Sequence, residues 1–254
     1  MAPHAARRAR RLPKFLWQTD PIVETRRGPH RYRLDLRDNV QRAFFFSGWY
    51  ERRYVCALVG RLRPEDVVVD VGAHIGIHTL ACAARLRDLG GGQVIAFEPA
   101  SDTANLLRWN VVHSGLQNVR IEQVALGSGS GQAQLRSDPT AFDPADMSVR
   151  SFYGPGSNVE SVAVTSFDSW AEADGLSRMD AVKVDVEGGE LAVLEGMRRS
   201  IDRLSPRLIG VEIRDYLLKR AGVSESALRA WLRAASYEPV DAGDLEGNFL
   251  FVRA

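Results

Sequence analysis

From Asp66 onward, short apolar runs alternate with stretches whose apolar residues recur at helical spacing. That alternation is expected of βα units wound around a largely parallel sheet. Val67 to Val71 predicts a first buried strand, after which Ile77, Leu80, Ala81 and Ala84 fall at i, i+3, i+4 and i+7 and put one apolar stripe of a helix against it. Gly90, Gly91 and Gly92 end that helix. Further strands are predicted over 94–98, 119–125, 181–186 and 208–213, with a helix over 101–112 capped by Ser101 and another over 190–199. Ser224 is the predicted N-cap of a helix with Leu228, Trp231, Leu232 and Ala235 on one face, before closing strands near 237–240 and 249–252. Residues 127–156, rich in Gly, Ser, Asp and Pro, read as an inserted loop region with room for one hairpin. The pattern predicts an α/β fold of the doubly wound, Rossmann-like kind.

Upstream, residues 40–62 carry Phe44, Phe45, Phe46, Trp49, Tyr50, Tyr54 and Val55 with charges at 51–53. They predict a helical lead-in, interrupted near Ser47 and Gly48, that packs on the domain and covers its cleft. Residues 1 to 30 are rich in Arg, Pro and Ala without periodicity, which predicts an arm that is disordered unless something docks on it. The expected division is a basic, partly disordered, helical or irregular arm over 1–40 and one domain over 41–254, opening with the lead-in at 41–62.

Charge changes the picture little. Lys and Arg number 33 against 32 Asp and Glu, so no overall field draws the folded body to nucleic acid or an anionic membrane, and a small-molecule partner is favoured. The basic cluster Arg7, Arg8, Arg10 and Arg11 is not followed by a secretory apolar segment, and no apolar run approaches the ~18 residues of a membrane span. A soluble, cytoplasmic protein is expected, with Cys56 and Cys82 as small buried thiols. Whether it forms a homo-oligomer is open.

The first candidate chemistry is Val-Val-Val-Asp-Val-Gly-Ala-His-Ile-Gly at 67–76, a buried strand running into a glycine turn and a helix. Gly72 and Gly76 lack the Cβ atoms that would keep a ligand off the backbone, and the helix beginning near Gly76 offers N–H groups to a carboxylate or phosphate. Asp70 adds an acceptor. A dinucleotide enzyme wants glycine where His74 stands, which disfavours an NAD(P) oxidoreductase and suits the methionyl end of S-adenosylmethionine. Glu98, 22 residues beyond Gly76, sits where an acidic side chain accepts ribose hydroxyls. Val124, Ala125 and Leu126 would offer apolar contacts to an adenine ring.

The run Ala-Val-Lys-Val-Asp-Val-Glu-Gly-Gly-Glu at 181–190 places Asp185, Glu187 and Glu190 where the fourth strand meets its helix. Function competes there with helix capping, which accounts for part of Glu190 and of Glu187. His74, His78 and His113 are further candidates for a base matched to neutral pH, although for any one of them a capping or surface role is commoner.

Through Asp-Val-Gly-Ala-His-Ile-Gly at 70–76, Phe-Glu-Pro at 97–99 and Lys-Val-Asp-Val-Glu-Gly-Gly-Glu at 183–190, the chain resembles the FkbM family of class I methyltransferases over residues 48–253. The resemblance implies a seven-stranded sheet with its last strand antiparallel, S-adenosylmethionine as methyl donor, and O-methylation of a hydroxyl on a polyketide, sugar or related secondary metabolite, as in antibiotic biosynthesis. Members often carry Asn where this chain has His74. Tyr50 and Glu51, in Gly-Trp-Tyr-Glu, look like the family's lead-in that closes over the donor. Residues and resemblance together put donor contacts at Tyr50, Glu51, Asp70, Gly72, Ala73, Gly76, Thr79, Glu98, Pro99, Val124, Ala125 and Asp185, and catalysis at Asp185, Glu187 and His74. No obligatory metal is expected, since the Asp-Asn pair that could hold one, Asp38-Asn39, is far upstream. Three rivals stand beside this reading. An RNA or other nucleic-acid methyltransferase has the Arg-rich arm in its favour, but the chain has no Pro-Pro-Tyr or Pro-Cys motif and no basic body. The other two are the NAD(P) oxidoreductase and a donor-binding protein without catalysis.

Overall fold

A computed structural model describes residues 21–137, 150–153 and 156–254. The basic cluster at 7–11 and much of the 127–156 insertion lie outside the described residues. In chain order, β1 (Ile22–Arg27) and β2 (His30–Asp35) form a hairpin, followed by α1 (Asn39–Ser47) and α2 (Arg52–Val59). The first βα units are β3 (Val67–Val71), α3 (Ile77–Asp88), β4 (Gln93–Phe97), α4 (Ser101–His113) and β5 (Val119–Glu122). Then come β6 (Ala125–Leu126), β7 (Gly131–Ser137), β8 (Arg150–Ser151), β9 (Ser157–Thr165) and α5 (Phe167–Asp174). The chain returns through β10 (Ala181–Val184), α6 (Glu190–Gly196), α7 (Arg198–Leu204), β11 (Leu208–Glu212), α8 (Asp215–Arg220) and α9 (Glu225–Ala234), and closes with β12 (Tyr237–Pro239) and β13 (Asn248–Arg253).

The main sheet has seven strands in the order β12-β13-β11-β10-β3-β4-β5, and β13 runs antiparallel to both neighbours. The doubly wound expectation holds, including the antiparallel last strand. Strand β3 is buried at all five positions because both faces are covered. Val68, Val94 and Ala181 face a layer with Tyr54 and Leu58 of α2, Leu80 of α3 and Leu107 of α4. Val69, Ile95, Val182 and Ile209 face the opposite layer with Phe167, Leu194, Ile201 and Leu228. The chain order reverses between β3 and β10, and in such a sheet the crevice outside the strands' carboxyl ends at that point is where ligands bind.

Several expectations change. Residues 22–35 are a hairpin with register from Ile22↔Asp35 to Arg27↔His30, not aperiodic arm. Tyr32, Leu34 and Leu36 are buried, and the backbone amides of Arg33 and Arg31 donate to Asn110 Oδ1 (2.7 Å) and Ser114 Oγ (3.0 Å), which binds the hairpin to α4 and its end. The strand expected over 119–125 stops at Glu122, and Ala125 pairs instead with Val164 in a second sheet of order β6-β9-β7-β8. Among its described residues the insertion supplies β7 and β8, which pair with each other and, through β7, with β9. Helices α5 and α8 were not anticipated, and the helix expected over 190–199 divides at buried Met197. Cys82 is buried as expected, whereas Cys56 is exposed. The expected break at Ser47 and Gly48 is present: Gly48 caps α1 at φ 77°, a conformation favouring glycine. No helix among the described residues is long and apolar enough to cross a membrane.

Candidate functional site

A cleft of about 410 Å³ lies at the switch point, lined by Tyr50, Gly72, Ala73, His74, Glu98, Pro99, Val124, Ala125, Asp185 and Glu187 among others. Its first wall is the loop between β3 and α3. The amides of Gly72 and Ala73 both donate to Phe97 O at 3.0 Å, so the loop is pinned to the end of β4. The next amide, of His74, donates to Glu98 Oε2 (2.9 Å), and that of Ala100 donates to Glu98 Oε1 (3.0 Å). Glu98 is 7 % exposed. Burial pushes its carboxyl above the ordinary range, and the His74 charge and the two amides only partly offset this.

The glycines answer to packing as well, although Gly72 also lines the cleft as expected. A Cβ on Gly72 (φ +76°) would stand 1.8 Å from the carbonyl oxygen of Asp185, so the residue is small because two crossover loops touch backbone to backbone. A Cβ on Gly76 (φ +92°) would stand 2.5 Å from Leu107 Cδ1, and Gly76 lies outside the cleft wall. It sets the packing of α3 on α4.

Asp70 and Thr79, expected to touch the donor, lie one layer behind the cleft. Thr79 Oγ1 donates to Asp70 Oδ2 at 2.6 Å, and both residues are buried. The reason is Lys183, a residue that no expectation from the sequence placed in the site. Lys183 is the register partner of Asp70 on the adjacent strand, and its ammonium donates to Gly72 O (2.7 Å) while lying 3.3 Å from Asp70 Oδ1 and 3.4 Å from Asp185 Oδ2. Burial works against its charge, but Asp185 and Asp70 outweigh burial and hold the ammonium above its usual range. Asp185 is lowered in turn: burial raises it, and Lys183 and His78 more than compensate. One ammonium therefore ties the first crossover to the fourth.

The lead-in segment closes the third side. Tyr50 lines the cleft, whereas Glu51 is buried outside its wall, with Oε2 3.3 Å from His78 Nε2 and Oε1 3.7 Å from Arg214 Nη2. His78 packs edge-on to Tyr54 at 5.4 Å. His113 stacks on Trp109 at 3.8 Å on α4 and does not line the cleft. His74 has φ 51° and presents Nε2 3.0 Å from Asp38 Oδ2. Asp38 is 0 % exposed and also caps α1 by accepting from the Gln41 amide at 2.9 Å. Burial opposes the imidazolium, but the Asp38 charge and hydrogen bond overcome it and raise His74. Burial likewise opposes the Asp38 charge, and His74 and Gln41 overcome it and lower that carboxyl. The fold thus carries Asp38, remote in sequence, back to the motif.

At the fourth crossover Glu190 accepts from the amides of Val186 (3.1 Å) and Gly188 (3.0 Å), which makes it the stitch of that turn. Burial pushes it up to about 7 despite those amides. Asp185, Glu187 and Glu212 each bring a carboxylate oxygen within 4.8 Å of the others. Glu212, also unanticipated, accepts from Arg214 Nε. The second sheet supplies the remaining wall through Arg150, Ser151 and Tyr153. Ser151 Oγ donates to Glu187 O at 2.8 Å, which joins that sheet to the acidic turn.

These residues fit an adenosyl amino acid: the volume suits a ligand of that size, Glu98 offers carboxylate lone pairs for sugar hydroxyls, and Val124, Ala125 and Leu126 form an apolar wall. The sequence matches the model of the methyltransferase FkbM domain over residues 70–239. It is 28% identical to the hexuronic acid methyltransferase AglP of Haloferax volcanii, over 68% of this chain and 70% of that protein. It is 29% identical to the 31-O-demethyl-FK506 methyltransferase FkbM of Streptomyces tacrolimicus, over 69% of this chain and 76% of that protein. With its motifs standing around one cleft at the switch point, the chain belongs to the FkbM family of S-adenosylmethionine-dependent methyltransferases.

Proposed function

We propose that the enzyme methylates a hydroxyl oxygen of a small-molecule acceptor. The observation that carries this reading is the His74–Asp38 pair at the cleft wall. An ionised Asp38 accepts the proton of Nε2, which leaves Nδ1 as the unprotonated ring nitrogen, able to take the proton of an alcohol. A hydroxyl acceptor needs such a base late in the transfer. The two relatives, a hexuronic acid methyltransferase and a 31-O-demethyl-FK506 methyltransferase, support a small-molecule acceptor.

S-adenosylmethionine, when bound, supplies an electrophilic methyl group on a sulfonium. Glu98 would accept the sugar hydroxyls, with its orientation already set by the His74 and Ala100 amides. Asp185, kept ionised by Lys183, would place a negative charge beside the reacting cation. Tyr50 and the hairpin-anchored lead-in would exclude water, and the rate gain would come mainly from alignment of acceptor and methyl. Residues 150–153, in β8 and just after it, would contact the acceptor.

The test is incubation with donor and a panel of hydroxylated metabolites, read by mass spectrometry as a gain of about 14 mass units on oxygen, the mass of one CH₂. In the pH profile of kcat, the wild type should show an acidic limb that His74→Asn removes, with kcat falling about 10²-fold. Methylation confined to nitrogen or carbon, or a profile unchanged by His74→Asn, would refute the oxygen reading.

A further inference from the structure

We propose that Asp185, Glu187 and Glu212 hold one divalent cation of the hard, oxygen-seeking class, Mg²⁺ or Mn²⁺, at the end of the cleft away from Glu98. The proposal departs from the sequence expectation of no metal. Its catalytic consequence rests on the O-methylation reading; the binding site itself does not.

The three carboxylates come from three places in the fold: the residue after β10, the turn before α6 where Glu187 has φ 58°, and the last residue of β11. One oxygen from each lies within 4.8 Å of the other two. A six-coordinate ion with ligands at about 2.1 Å separates those ligands by about 3 to 4 Å, so small side-chain movements close the triad on one ion. Independent of that spacing, Glu212 is only 5 % exposed and its Oε2 is buried without a hydrogen-bond partner, while Oε1 is taken by Arg214. A carboxylate oxygen in that position needs a proton or a cation.

Charge supplies the second argument. Around this end stand Asp70, Asp185, Glu187, Glu212 and Glu51, faced by Lys183, Arg214 and His78. Lys183 is shared by Asp70 and Asp185, and Arg214 by Glu212 and Glu51. The donor set is all carboxylate, without sulfur or imidazole, which selects a hard ion over zinc or copper. Asp185 and Glu187 line the cleft, so the free coordination positions open toward the acceptor. There the ion would orient an acceptor hydroxyl, or a vicinal pair, and ease loss of its proton.

The experiment is a titration of the full chain, without donor, with Mn²⁺ followed by electron paramagnetic resonance of the free ion, then displacement by Mg²⁺. One ion per chain at micromolar to low millimolar affinity is expected, weakened at least tenfold by Glu212→Gln and by Glu187→Gln. If Glu212→Gln fails to fold, Glu187→Gln at the cleft lip decides. No Mn²⁺ uptake at millimolar concentration, or uptake unchanged in the folded variants, overturns the site. Oxygen methylation that persists in EDTA would overturn the ion's catalytic role, leaving the proposed reaction intact. Mn²⁺ uptake by a chain that methylates only nitrogen or carbon would refute the proposed reaction and leave the site standing.

Discussion

The two ends of the cleft solve the same electrostatic problem in opposite ways. At the end of β4 a single carboxylate, Glu98, is buried but meets two backbone amides, and neither of its oxygens is an orphan. At the ends of β10 and β11, Asp185, Glu187 and Glu212 crowd together, with Lys183 and Arg214 shared among more acids than they can neutralise. Fixed dipoles hold one end ready for neutral hydroxyls, because amides satisfy a carboxylate without occupying all its lone pairs. The other end keeps charge in reserve, offset in part by the buried Lys183 ammonium and the Arg214 guanidinium.

The largest effect should come from removing that ammonium. Lys183→Met leaves Asp70 and Asp185 buried without their cation and should cost about 3–5 kcal/mol in urea unfolding, the range for breaking a buried pair. A loss below 1 kcal/mol would mean the two ends are less different than the distances imply. Next, Glu98→Ala should weaken donor binding about 100-fold in calorimetry, roughly 3 kcal/mol, while Glu98→Gln, which keeps one amide acceptor, should lose less. Equal losses in both would show that the carboxylate charge matters and the amides do not.

The smallest effect concerns pH and the His74–Asp38 pair. His74 is raised from 6.5, so its stabilisation is complete below that unfolded value and is lost as pH climbs through the higher folded value. Asp38 is lowered from 3.8, so its share is present above that value and is lost as acid reaches the lower folded one. Asp38→Asn should therefore cost about 1–2 kcal/mol near pH 5 to 6, as for a charged hydrogen bond, and clearly less near pH 9. Denaturant unfolding at the two pH values, with an NMR titration of His74 falling in the variant, checks the sign.

The central sheet was legible because strands buried on both faces read as unbroken apolar runs, as Val67 to Val71 does. The hairpin at 22–35 was not, since β1, Ile-Val-Glu-Thr-Arg-Arg, buries none of its residues fully and shows no apolar alternation. Its one readable signal was the alternation of Tyr32, Leu34 and Leu36 after a Gly-Pro turn. Ala125 was assigned to the wrong sheet because its partner, Val164, lies far along the chain. Within the site, Glu98, His74 and Asp185 were readable from motifs, but Asp38 and Glu212 belong to none. Lys183 could have been found by parity. It shares a strand face with Asp185 and sits in register with Asp70, and a lysine in a strand covered on both sides must have acids beside it.

Strand β6 gives the molecule a seam. The chain enters the second sheet at the short step after Glu122 and leaves it at Ser166, where α5 begins, and the strand registers of that sheet are internal to it. Altered length or side chains in β7 or β9 would reshape one wall of the cleft while leaving every pairing of the seven-stranded sheet in place. Descendants of such a scaffold can exchange their clientele by editing one flap, at little risk to the frame that carries it.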